Sequence, residues 1–136
     1  MPVSAGTKQR FDQNLAGIAI EGYDTVAYFT EGKAVKGSDT FSYDWLGATW
    51  HFASARHRDL FSGEPIKYAP QYGGYCTSGI VVANIHAANP KVWRIIDGKL
   101  YLNGSDYALK SWADKGPEGI GSTDAEWVKL EAKLTQ

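Results

Sequence analysis

Cysteine is almost absent from this chain: Cys76 is the only one in 136 residues, so no internal disulfide framework can form. A single thiol suits the cytosol and leaves the periplasm open. Charge of one sign is also missing. Fourteen basic and fifteen acidic residues give a net charge of -1, and no run of Lys or Arg offers the electrostatic footprint of a nucleic-acid binder. Long apolar runs are lacking too, since no stretch approaches the roughly 18 residues of a membrane helix. The N-terminus, MPVSAGTKQRFDQNLAG, has no signal-peptide apolar core. Catalytic motifs of strict spacing are absent: no phosphate-cradling glycine loop, no H-E-x-x-H, no G-x-S-x-G and no paired cysteines for zinc.

What is present points to one densely packed unit. Hydrophobic residues make up 43% and charged residues 21%, near average globular usage, so neither disorder nor a fibrous repeat is indicated. Five tryptophans spread along the chain give each segment a large apolar anchor. Residues 1–14 are polar and unpatterned and read as a flexible N-terminal arm ahead of a single domain over 15–136. No internal repeat or linker is evident.

The periodicities predict an α+β fold: a small antiparallel sheet of hairpins with flanking helices. Asp24 is placed to cap a short turn that carries Val26, Tyr28 and Phe29 inward and ends at Gly32. In FSYDWLGATWHFAS, apolar residues alternate on both sides of Gly47, the signature of a hairpin over 41–52. Ser54 then caps a helix over 54–62. A second hairpin is expected over 93–102, with Asp97-Gly98 in a type I′ turn. Helices follow near 105–115, ended by Gly116, and 123–134, capped by Ser122 or Thr123, with Trp127, Leu130 and Leu134 on one face.

Groups able to do chemistry are few. His51 alternates with Trp50 and Phe52, which turns it away from the face those rings share. His57 stands among charged helical residues, on a solvated face or a site rim, and His86 falls in a loop ahead of Pro90. Cys76 follows Gly73-Gly74-Tyr75 in the segment YAPQYGGYCTSG. No Lys or Arg lies close to it in sequence, so nothing local lowers its pKa, and free cysteine behaves most often as a small buried hydrophobe. The balance is towards packing, with Gly73 and Gly74 letting the backbone run close under the hairpin. In this reading Tyr72 and Tyr75 fill space on either side, and Cys76 lies at the floor of a cleft with His57 on its rim.

Four blocks, GYDTVAYFTEGKAVKG, WHFASARHRDLF, KYAPQYGGYC and WRIIDGKLYLN, resemble in their order a YHS domain-containing protein of the single-domain bacterial type. The resemblance covers roughly residues 17–130. It implies a compact hairpin-and-helix unit and, in several members, heavy-metal binding through cysteines. The ligand set is altered in this chain. Ala27 stands where metal-binding members carry the first cysteine, and Ala53 and His57 stand where they carry two more. Related chains that resemble this one most are often exported, which would place it in the periplasm if an export signal has been removed and in the cytoplasm otherwise.

The resulting expectation is a small soluble binding domain with no nucleic-acid partner and no membrane insertion. It would hold a copper or zinc ion, with Cys76 and His57 as metal ligands, or a small ligand contacted by Tyr72 and Tyr75. The alternatives are a thiol-dependent enzyme using Cys76 oriented by His57, or a structural or partner-binding domain without metal. No residue is assigned a catalytic role, and oligomeric state is left open.

Overall fold

The computed structural model describes residues 9–134. It is an α+β fold built on two antiparallel hairpins, β1 (Ser38–Trp45) with β2 (Ala48–Phe52) and β3 (Asn89–Ile96) with β4 (Lys99–Asn103). Helices α1 (Ala27–Thr30) and α2 (Ala55–Gly63) flank the first hairpin, with α3 (Pro65–Tyr68) next in the chain. Around the second lie α4 (Thr77–Ile80), α5 (Asp106–Ala113) and α6 (Gly116–Glu131). No helix among the described residues is long and apolar enough to cross a membrane.

The turn chemistry follows the sequence closely. Asp97 and Gly98 have φ of 51° and 76°, both positive as a type I′ turn requires, and Leu46 and Gly47 repeat this at 45° and 82°. Ser54 and Ser105 cap α2 and α5, each side chain accepting from the amide three residues on, His57 and Ala108. Asp24 accepts from the amides of Val26 and Ala27 at the start of α1, and the amide of Gly32 closes that turn on the Ala27 carbonyl.

Three expectations need correction. The hairpins form two separate sheets, not one, because the free edge of each second strand is already occupied. Ile18 bridges Thr49 on β2, and Pro70 bridges Leu100 on β4. Helix α6 starts at Gly116, not near 123, since Pro117 suits a first turn, where its missing N–H is not needed. Thr123 is therefore interior, accepting from Trp112 Nε1 at 2.9 Å and donating to the Gly119 carbonyl at 2.7 Å. Finally, the arm expected over 1–14 is tied down from residue 9 onward: Phe11 is buried, Asp12 N–H donates to the Gly73 carbonyl, and Gln13 bridges Ala19. Residues 1–8 lie outside the described residues.

An internal repeat, which the sequence did not suggest, relates residues 20–54 to residues 72–105. A constant shift of 51 positions carries Ser38 onto Asn89 and Phe52 onto Asn103. Both hairpins have the same register, including a bulge at the same place, between Ser38 and Ser42 in one and Asn89 and Trp93 in the other. The same shift takes the Leu46-Gly47 turn onto Asp97-Gly98 and the Ser54 cap onto Ser105. Ahead of each hairpin stands a tight left-handed turn, with positive φ at Ile20, Glu21 and Gly22 and again at Tyr72, Gly73 and Gly74. The two turns abut, since a Cβ on Gly74 would stand 2.8 Å from Ile20 Cγ2. From these turns the chain reads Gly22-Tyr23-Asp24-Thr25 and Gly74-Tyr75-Cys76-Thr77, here at a shift of 52, one more than in the hairpins. The core forms two clusters that do not follow the copies: one around Trp50, Phe52 and Phe61 also takes in Cys76, Leu100 and Leu102, and another lies around Tyr72, Tyr101 and Trp112.

Candidate functional site

The repeat explains the lone cysteine. In the first copy, the fully buried Asp24 carboxylate is a hub joining α1 to the β2–α2 junction. Its Oδ1 accepts from Val26 and Ala27, and its Oδ2 accepts from the Ala53 amide at 2.9 Å and from His57 Nδ1 at 2.6 Å. The other imidazole nitrogen, Nε2, lies 3.2 Å from Thr30 Oγ1 and 3.5 Å from Glu31 Oε2. In the second copy Cys76 takes the place of Asp24, and its sulfur accepts from the Gly104 amide at 3.2 Å, the counterpart of the Ala53 contact. No imidazole completes this second hub, because Ala108 stands where His57 would be. Asn103 lies alongside instead, its Oδ1 3.7 Å from the sulfur and bonded to Ser78 N and Oγ.

Cys76 and His57, expected as a pair of metal ligands, thus belong to different copies, Cys76 matching Asp24 and His57 matching Ala108, and among the described residues they share no hydrogen-bonding partner. The Cys76 residue is 2% exposed and belongs to the first apolar cluster. His57 is buried rather than on a cleft rim. Among the described residues no group of three or more His, Cys, Asp or Glu could hold a metal ion. His86 is exposed, as expected of a loop residue, and His51 is partly buried. Two polar atoms of the second copy, Thr77 Oγ1 and Asn103 Nδ2, are buried without a hydrogen-bond partner among the described residues. Thr25, the counterpart of Thr77, donates to the Tyr68 carbonyl.

The glycines and tyrosines of YGGYC pack against β4 of the second hairpin, as expected, and also against the N-terminal segment. A Cβ on Gly73 would stand 2.1 Å from the Arg10 carbonyl oxygen. Tyr75 OH donates to the Gln9 carbonyl. Tyr72 OH donates to Asp124 Oδ1 at 2.7 Å, and its ring lies against Tyr101 and Trp127. Burial, and then the bond to Asp124, holds the Tyr72 phenol above its ordinary pKa, and burial followed by the Asp12 charge does the same for Tyr75. Both tyrosines therefore stay protonated donors at neutral pH.

The left-handed turn at Tyr72 shapes a pocket of about 200 Å³ against the N-terminal segment and α6. Its walls include Phe11, Trp45, Ile66, Tyr72 and Trp127, with Arg10 and Gln71 as polar members. Ile66 is 80% exposed at its edge. Arg10 Nη1 is paired with Glu131 at 3.0 Å, its guanidinium lies over the Phe11 ring, and its Nε is buried with no acceptor among the described residues. Of the tyrosines expected to touch a ligand, Tyr72 lines this pocket; Tyr75 is not among its lining residues. The pocket's other members were not legible in the sequence, because they converge from positions 10 to 127. The hub residue Asp24 was legible as a helix cap, and the repeated Gly-Tyr-x-Thr could have linked it to Cys76.

Comparison with protein-family models, with curated proteins and with solved structures gives no match, so the YHS resemblance rests on the four sequence blocks alone.

Proposed function

We propose that this chain is a YHS-like binding module for a small planar molecule, seated in the pocket between Tyr72, Trp45 and Trp127. The carrying observation is the pocket itself: aromatic residues from distant parts of the chain, Phe11, Trp45, Tyr72 and Trp127, converge on one concave surface beside the polar Arg10 and Gln71, a make-up that suits a ligand site. Its volume suits one or two fused rings, given that a cavity of about 150 Å³ accommodates benzene. The strained φ of 54° at Tyr72, which turns its ring into the wall, adds support. The soft-metal reading has less behind it. Cys76 is sealed and already bonded to a backbone amide, and His57 is engaged by Asp24.

Tryptophan fluorescence provides the test. Titration of the full chain with a planar bicyclic compound such as quinoline should quench emission saturably, and Trp127→Ala should weaken binding at least about tenfold, as expected for loss of a stacking wall. Cys76→Ser should bind unchanged. Unsaturable quenching, or stoichiometric copper or zinc in the native protein that Cys76→Ser loses, would overturn the proposal.

A further inference from the structure

We infer that the pocket selects an uncharged heteroaromatic molecule carrying a hydrogen-bond acceptor, and that Arg10 is the residue that makes the selection. The inference rests on the pocket reading above and adds the ligand's chemical class. Two features of the walls set that class. The first is the state of the Arg10 guanidinium. Its charge is already matched by Glu131 at 3.0 Å, yet Nε, on a different edge of the group, has no acceptor among the described residues. A guanidinium carries five N–H donors, so one partner on Nη1 leaves donors over. Arg10 lines the pocket with its side chain a quarter exposed, so Nε is the donor left over for a bound acceptor.

The second feature is the surrounding charge. Glu131 pairs with Arg10, and Asp124, on the same helix α6, accepts from Tyr72 OH. A carboxylate or phosphate entering here would find the guanidinium already neutralised by Glu131 and a second carboxylate, Asp124, bonded to the lining residue Tyr72. An amide carbonyl or ring nitrogen accepts the same hydrogen bond without that repulsion. The rings of Phe11, Trp45, Tyr72 and Trp127 supply flat faces for the ligand's body, and Gln71 offers a second polar contact.

Calorimetric titration of the full chain with indole, indole-3-carboxamide and indole-3-carboxylate separates the components. The carboxamide should bind about tenfold tighter than either of the others, the size of one well-made hydrogen bond in a dry site. Arg10→Lys keeps a positive charge for Glu131 and removes the Nε donor. It should collapse the carboxamide-to-indole affinity ratio from about ten to about one, whatever it does to indole itself, with the unfolding midpoint confirming an intact fold. Equal binding of indole and carboxamide to the native chain, or tightest binding of the carboxylate, would overturn the inference and leave the pocket standing. Failure of all three to bind would overturn the pocket reading and this inference with it.

Discussion

Replacing Asp24 with alanine is expected to cost about 3–5 kcal/mol, a large share of the stability of a domain this size. The carboxylate is fully buried and accepts four hydrogen bonds, from Val26, Ala27, Ala53 and His57. Removing it leaves the buried Val26 amide without its acceptor and the Ala27 amide with only the Asp24 backbone carbonyl. It also cuts the tie between α1 and the β2–α2 junction. Asp24→Asn should recover only part of the loss. Its oxygen can still serve Val26 and Ala27, but its NH2 then faces the N–H of Ala53, donor against donor. Because the alanine variant is near the limit of folding, the asparagine variant keeps the comparison measurable by urea unfolding. Cys76→Ala, at the equivalent corner of the second copy, should cost about 1–2 kcal/mol, since one N–H···S contact and a small volume are lost. Equal costs at the two corners would show that Asp24 is not a hub.

The second large effect is expected at Gly73. Alanine there would place Cβ 2.1 Å from the Arg10 carbonyl oxygen, at a φ of 64° where side chains are strained in any case. Gly98 isolates the backbone contribution, because its φ is 76° and nothing lies within 4 Å of a Cβ. Gly98→Ala should therefore cost about 1 kcal/mol, and Gly73→Ala about 2–5 kcal/mol. The excess measures the steric conflict with the N-terminal segment, which Gly73 also holds through its carbonyl bond to the Asp12 amide. Displacing that segment moves Arg10 and Phe11 away from the pocket, so ligand affinity should fall together with stability. Similar unfolding midpoints for the two variants would contradict the close approach.

Local signals carried most of the fold. Asp97-Gly98, the Ser54 and Ser105 caps and the alternation around Gly47 each specify structure within a few residues, and each stands where the sequence placed it. The separation of the two sheets was not legible, because it depends on Ile18 and Pro70 reaching strand edges far along the chain. The start of α6 was hidden by Gly116, which reads as a stop but precedes a proline well placed to open a helix. The repeat escaped notice because its copies keep the backbone and change the chemistry. Asp24 becomes Cys76, the fully buried Phe52 becomes Asn103, and His57 becomes Ala108, leaving little beyond Gly-Tyr-x-Thr to align. The family resemblance drew attention to Cys76 and His57 as soft ligands, whereas the structure gives both of them structural partners. The pocket's aromatic walls looked in sequence like ordinary core anchors.

One measurement bears most directly on the central claim that the aromatic pocket, and not the Cys76 and His57 pair, is the binding site. Backbone amide NMR spectra of the full chain, recorded with indole-3-carboxamide and separately with Cu(I) and Zn(II), locate each contact residue by residue. The account predicts saturable shifts with the carboxamide, clustered at Arg10, Trp45, Gln71, Tyr72 and Trp127, and only weak, scattered changes with the metals. Shifts centred on Cys76 and Gly104 or on His57 with either metal, and none around the pocket with the carboxamide, would contradict it.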